Sequence, residues 1–470
     1  MRFFIFIKEN VLIVLLLSRK YFILKIKNPN MSDSGKNQLQ KSLGLSFNIA
    51  VLIGGTIGVG ILRTPGSIAT LLNNQWLVVA SWLFGGLFVL IGANSYAELA
   101  TMLPKAGGSY NYIKRAFGEY AGFLSGWFDY ITNAIPPAFF CIVISEYITI
   151  LFPSLKSYGT VMAISLLIAF VLLHLSGIKN GSAIQQITSF IKVICFVALV
   201  VACFMYTGVE VTPIAKDNSF FQIGLLFGFF KSLQLIIGTY NGWNSVCFFA
   251  EENDNPGKNI PKSLFSGVLL VMAIYVLLNI AFFHVLPIET IAKSNLAAAD
   301  VANIIFGKNG AIIVTVISIF SLISILNAFM MIPPRILYGL SRDGFFIKKG
   351  TAVNKGGTPI VALLVSSFFS LFLICIGSFE VLFSFAAFTS IIVWGLAYCS
   401  LLRLRTKEPD LPRSYRSFWY PWTTIIAILA SLALLIGFIY SDPKSFIIIV
   451  IITLASYPLF LILNRKKNVR

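Results

Sequence analysis

The chain has 470 residues, of which 57% are hydrophobic and only 11% charged, and its mean hydropathy is +0.86. A soluble domain carries about 25% charged residues, so this composition excludes one and specifies an all-α integral membrane protein. The net charge of +18 does not point to nucleic acid, because the basic residues sit in short loops between apolar runs.

Residues 1–30 hold two short apolar bursts, "FFIFI" and "VLIVLLL", interrupted by Lys8, Glu9, Arg19 and Lys20. Neither reaches the roughly 20 residues that a spanning helix needs, and no small-residue cleavage site follows. Met31 opens a polar run of cytoplasmic character, so 1–30 reads as an upstream start-site assignment rather than a surface-lying anchor. Residues 1–44 form the N-terminal cytoplasmic segment. Twelve apolar segments follow, over 45–71, 76–102, 121–151, 158–177, 183–207, 220–249, 263–286, 309–337, 359–377, 380–402, 419–439 and 445–463. Lys and Arg crowd the loops that lie inside if the N terminus is inside. That bias puts both termini in the cytoplasm, with 464–470 as a cytoplasmic tail, and the expected location is the cell's inner (plasma) membrane. Arg63, Lys192 and Lys231 fall within spans.

The six cysteines all fall in apolar segments with no CxxC pair, and the two histidines, His174 and His284, stand far apart. Neither set reads as a metal site, and no phosphate-binding loop of the Walker type is present, so no metal, cofactor or enzymatic activity is expected.

The first span contains "GGTIGVGILRTPG", residues 54–66, with five glycines in a segment apolar enough for a bilayer. Each glycine costs a helix about 1 kcal/mol relative to alanine. Five spans on, "GTYNGWNS", 238–245, breaks another apolar run. Paired interruptions in matching positions of two inverted halves point to a transporter site at the midplane, where irregular backbone lines a cavity. The N–H groups around Ile57 to Gly60, with the Thr56 hydroxyl, suit a carboxylate. Carbonyls around Ile237 to Tyr240 suit an ammonium, and a zwitterionic amino acid supplies both groups.

Several longer stretches carry a family resemblance. They are "IGGTIGVGILRTPG", "SYAELATMLPKAGGSYNYIKRAFGEYAGFLSGW" (95–127), "GIKNGSAIQQITSFIK" (177–192), "YNGWNSVCFFAEENDNPGKNIPKS" (240–263) and "LNAFMMIPPRILYGLSRDG" (326–344). The sequence resembles the amino acid–polyamine–organocation superfamily, nearest to its L-type amino-acid transporter branch and that branch's bacterial serine/threonine exchanger-like members. The resemblance implies a LeuT-type fold of 12 transmembrane helices. Spans 1–5 (45–207) and 6–10 (220–402) would form inverted repeats with discontinuous helices 1 and 6, and spans 11–12 (419–463) would trail them. It implies a substrate site at Thr56, Ile57, Gly58, Val59 and Gly60 on one side and Ile237, Gly238, Tyr240 and Gly242 on the other.

Three charged residues are singled out for coupling or gating. The resemblance puts Lys192 where sodium-driven relatives hold a sodium ion. It is either a proton-carrying amine or a fixed positive strut. Glu98 reads as a gate or packing residue that pairs with a basic residue of an inner loop. Arg63 stands where relatives more often carry an apolar residue, and either attracts an acidic substrate group or snorkels to the outer vestibule. Asp129 and Asn133 share a face of span 3. Lys231, Gln234 and Gly238 repeat at three and four; snorkelling of Lys231 is preferred over a polar face lining the outer route. The two prolines of "IPPR", 332–335, are expected to kink the inner end of span 8.

The function expected is secondary transport of neutral L-amino acids by alternating access, as exchange or proton-coupled symport. A membrane sensor that binds without transport is the alternative. The expected partners are an amino acid, membrane lipid and, for symport, protons. The loop "FPSLKSYG", 152–159, lacks the cysteine through which animal relatives bind a glycoprotein, so no covalent partner is expected.

Overall fold

The structure, a computed structural model, describes residues 38–208, 223–376 and 380–468. The segment 1–30, with its start-site expectation, lies outside the described residues, as does 209–222. Among the described residues the regular structure is helical. The β contacts are two isolated bridges, Leu43 to Asn253 and Val353 to Pro359.

In chain order the helices are α1 (Leu45–Thr56), α2 (Gly60–Leu72), α3 (Gln75–Met102), α4 (Ser109–Phe117), α5 (Glu119–Ala134), α6 (Pro136–Leu151), α7 (Gly159–Leu175), α8 (Ile178–Met205) and α9 (Ile223–Tyr240). There follow a 3-10 segment, Ser245–Glu252, and α10 (Pro256–Val285), α11 (Ile288–Ala292), α12 (Ala297–Phe306), α13 (Gly310–Arg342), α14 (Ile360–Ile376), α15 (Glu380–Lys407), α16 (Trp422–Ser441) and α17 (Pro443–Asn468). Nine helical segments among the described residues are long and apolar enough to cross a membrane, or 10 if α1 and α2, bent by 42° at their break, count as one. The shorter α14 is apolar over 17 residues.

The helices are built for lipid rather than water. On α8, Gln185, Ser189 and Lys192 are buried, at 0%, 3% and 1% exposure, while Ile187, Phe190 and Ile194 stand 60%, 68% and 51% exposed. Polar groups face inward and the apolar stripe faces out, the inverse of a water-soluble helix. The most extensive helix contact is α10 against α3, and α1 lies among α8, α10 and α13. That central position surrounds the first break with protein on several sides. Helix starts follow local chemistry. The Asn74 side chain accepts from Trp76 N at 2.9 Å and Leu77 N at 3.1 Å, capping α3. Span 3 is divided at Ile135, where Pro136 and Pro137 begin a new helix. Span 8 behaves otherwise: Pro333 and Pro334 do not end α13, which runs from Gly310 to Arg342.

Ion pairs gather where α3, α13 and α15 end. Glu98, fully buried near the end of α3, receives Arg405 Nε at 2.6 Å, Arg405 Nη2 at 2.7 Å and the Ser417 N–H at 2.7 Å. Arg413 Nε lies 3.1 Å from the same carboxylate. The pairing expected of Glu98 is present, with partners from α15 and the loop after it. On the other flank the Arg335 guanidinium meets Glu252 in a two-pronged contact, Nε to Oε1 at 2.8 Å and Nη2 to Oε2 at 2.9 Å. Its plane also lies 4.9 Å over the Phe249 ring, and Nη1 donates to Met331 O at 2.9 Å. Glu252 O in turn accepts from Ser42 N and Leu43 N, each at 3.0 Å, so the stretch before α1 is tied to the same pair. Near α4, Lys114 pairs with Asp343 at 2.8 Å and Tyr110 donates to the same carboxylate. Burial works against the Asp343 anion, but these hydrogen bonds prevail and hold its carboxyl below the usual range.

Both members of the Arg335–Glu252 pair are buried. Glu252→Gln alone leaves an uncompensated guanidinium and is expected to cost about 3–5 kcal/mol, whereas Glu252→Gln with Arg335→Met should cost much less. Thermal unfolding of the purified variants in detergent checks this: the single variant should melt well below the double.

Candidate functional site

The two interrupted segments meet inside the helix bundle. In the first, α1 ends at Thr56 and α2 begins at Gly60, leaving Ile57–Val59 outside either helix. In the second, α9 ends at Tyr240, residues 241–244 turn, and the chain continues as a 3-10 rather than an α-helix. Contact between the breaks is backbone to backbone. Gly242 has φ 105° and packs so closely that a Cβ there would stand 2.4 Å from Gly55 O. Only glycine meets both demands. Gly60 faces Thr239 across the same junction, where a Cβ would lie 3.0 Å from its methyl.

A helix that stops in an apolar interior leaves carbonyls without partners at its C-terminal end, and these must be bonded. Gly54 O, Thr56 O and Ile57 O each have a donor from another helix. Lys192 Nζ on α8 donates to Gly54 O at 2.9 Å and to Ile57 O at 2.5 Å. Ser321 Oγ on α13 donates to Ile57 O at 3.3 Å. One turn earlier, Ser189 Oγ donates to Ala50 O at 2.8 Å. Tyr275 on α10 serves both breaks, its hydroxyl lying 2.9 Å from Thr56 O and 3.1 Å from Thr239 O. Its ring packs on Trp82 and Tyr240, with centroids 5.1 and 5.0 Å apart.

The opposite end is left open. The N terminus of α2, at Val59 and Gly60, has no side-chain cap. Its first N–H groups cannot bond within the helix, so they remain available to an acceptor. The junction thus offers positive partial charge from α2 and negative partial charge from the carbonyls ending α9. That polarity is complementary to a zwitterion.

The structure brings most of the residues singled out above to this junction. Thr56, Ile57, Gly58 and Val59 are buried, as are Ile237, Tyr240 and Gly242. Thr56 Oγ1 is occupied, donating to Leu52 O at 2.7 Å within its own helix. Gly58 abuts Ile325 of α13, and Tyr240 Oη donates to Trp82 O at 3.4 Å. Gly238 is exposed, with no atom within 4 Å of where a Cβ would point, so it borders open space. Arg63 is also exposed, on the first turn of α2. Glu98 belongs to the ion-pair network instead. The face carrying Lys231, Gln234 and Gly238 is divided: Lys231 is exposed, while Gln234 Oε1 accepts from Ser441 Oγ of α16 at 3.2 Å.

Sequence reasoning missed Tyr275, which carries no local signal of its role. It also passed over Arg335, although a guanidinium in an apolar segment is itself a signal.

Helices that turn apolar side chains outward and enclose a polar double break define a membrane protein of the carrier class. Residues 43–458 match the model of the family described as amino acid permease. The chain belongs to that family, as its resemblance to the superfamily led one to expect. It is 27% identical over 439 residues to the serine/threonine exchanger SteT of Bacillus subtilis (strain 168), covering 92% of this chain and 98% of that protein. It is 26% identical to the b(0,+)-type amino acid transporter 1 of Mus musculus, over 89% of this chain and 86% of that one. It is 27% identical to the large neutral amino acids transporter small subunit 2 of Oryctolagus cuniculus, over 88% and 78%.

Two substitutions separate packing from open space. Gly242→Ala meets a positive φ and a backbone oxygen and should cost at least about 1–3 kcal/mol, lowering the melting temperature. Gly238→Ala meets nothing and, with alanine's better helix propensity, should melt at or above the wild-type temperature. Tyr275→Phe strips the hydroxyl from two buried carbonyls and should cost about 1–3 kcal/mol, read in the same melts.

Proposed function

We propose that the protein is a secondary transporter that moves small neutral L-amino acids across the membrane by alternating access, as an exchanger or a proton symporter. One observation carries the reading: an uncapped helix N terminus and a carbonyl-bearing helix end face one another across a glycine junction inside the protein. In this reading the N–H groups from Gly58 to Ile61, at the break and the start of α2, take the substrate carboxylate. The carbonyls at Ile237 to Tyr240 take the ammonium, and the open space beside Gly238 receives the side chain. The proposed architecture has 12 crossings in a five-plus-five inverted repeat, with both termini cytoplasmic. Its support is the two breaks, five apolar segments apart, and the basic loops gathered at one end. Similarity to a serine/threonine exchanger favours substrates of that size.

Lys192 acts here as the fixed strut. Its ammonium is committed to two carbonyls of α1, which holds the break in shape and occupies the position a sodium ion would need. Arg63 lines the outer approach. The Glu98 and Glu252 networks close the inner side, and their opening accompanies release.

Purified protein in liposomes tests the reading. Labelled threonine and alanine uptake is compared in empty vesicles, vesicles preloaded with unlabelled amino acid, and vesicles with an inward proton gradient. Uptake in the second or third condition is expected; saturable binding with no uptake in any condition would instead indicate a sensor. Lys192→Met should reduce counterflow by about tenfold or more, since a charged hydrogen bond is worth about 1.5–3 kcal/mol.

A further inference from the structure

Among the described residues one buried carboxyl has no cation beside it. Asp129 lies on α5, six residues before the Ile135 division of span 3, and is buried. Its Oδ2 has no hydrogen-bond partner, and among the described residues no cation acts on it. The Asn133 amide one turn on donates to the Asp129 backbone carbonyl at 2.7 Å and leaves the carboxyl unserved. Ser109, the first residue of α4, faces that carboxyl. An unpaired carboxylate is expensive in such surroundings, and ionisable groups kept inside membrane proteins mark proton or ion pathways.

The surroundings connect Asp129 to the junction. Ser109 Oγ shares a hydrogen bond of 3.0 Å with Tyr96 Oη. The Tyr96 ring lies 4.9 Å from Trp243, which follows Gly242 in the second break, and 6.1 and 5.8 Å from Tyr112 and Tyr398. Trp243 Nε1, Tyr112 Oη and Tyr398 Oη are all buried without a hydrogen-bond partner, like Asp129 Oδ2. Orphaned polar atoms gathered around one ring are the setting in which interior water is held.

We propose that Asp129 is a proton-binding site of the transport cycle, joined to the substrate junction by the polar cluster around Tyr96 and emptied toward the cytoplasm when α4 moves. This deepens the carrier reading and rests on it. In the closed arrangement the carboxyl is neutral. When water reaches it past Ser109, its O–H bond breaks, the proton passes to water as hydronium, and the carboxylate remains until it is reprotonated. Among the described residues no cation on the packed elements acts on it. The side chains around Tyr96, namely Tyr112, Trp243 and Tyr398, carry no cation. From α17, Ser456 meets Tyr120, while the charges of Glu98, Lys114 and Asp343 are held in ion pairs.

Two readouts on the full-length protein test this. Infrared spectroscopy at neutral pH should show a protonated carboxyl band that disappears in Asp129→Asn and returns in Asp129→Glu. In liposomes an inward proton gradient should drive labelled amino-acid accumulation in the wild type, and Asp129→Asn should lose that accumulation. Absence of the band, a band untouched by Asp129→Asn, or gradient-driven accumulation that survives in the variant overturns the proposal. So does a wild type that performs counterflow but ignores the gradient. A wild type without counterflow defeats the carrier reading instead, and the infrared result still decides whether Asp129 holds the proton.

Discussion

A helix cannot be broken inside an apolar bundle unless every backbone group it frees finds a partner or a use. The rest of this structure is arranged around that constraint. Lys192, Ser321 and Tyr275 come from three different helices to the carbonyls that end α1, and Tyr275 also reaches the end of α9. They are side chains of strong hydrogen-bonding power carried on otherwise apolar helices. Each has its cost in lipid removed by the bond it makes. What is left unserved is the positive end of α2, and that asymmetry gives the junction its polarity.

A second constraint acts at the basic end. Glu98 and Glu252 are both buried; Arg405 of α15 and Arg413 of the loop after it hold the first, and Arg335 of α13 holds the second. A buried pair of this kind adds little to net stability, because desolvation offsets the attraction, yet separating it is costly. Such contacts suit surfaces that must be either fully closed or fully hydrated. The Glu252 pair also holds the chain leading into α1 through backbone bonds from Ser42 and Leu43. The Arg335–Glu252 pair and the entry to α1 are therefore tied to one another.

Much of this was legible in the sequence because the bilayer makes local composition informative. Glycines at 54, 55, 58 and 60 in an apolar run marked the first break to within a residue or two, and "YNGW" marked the second. A lone lysine in "SFIKVICF" had to have a partner, and it does. The partnerships themselves were not legible, since Tyr275 meets Thr56 across 219 residues and Arg335 meets Glu252 across 83. No periodicity encodes such pairings, which arise from how the helices pack. The continuation of α13 through Pro333 and Pro334, rather than an end there, has the same origin. Tertiary packing of an almost fully buried helix segment outweighs the local preference of proline. The 3-10 form of Ser245–Glu252 was likewise invisible to pattern, because its apolar residues fit either helix type.

The central claim is that the junction of the two breaks is the amino-acid site. An electron cryo-microscopy structure of the protein with threonine bound tests it most directly. The account predicts density beside Gly60 and Gly238, with the carboxylate bonded to the first N–H groups of α2 and the ammonium to the carbonyls ending α9. Threonine seated elsewhere, or held with its carboxylate toward the carbonyls, would contradict it.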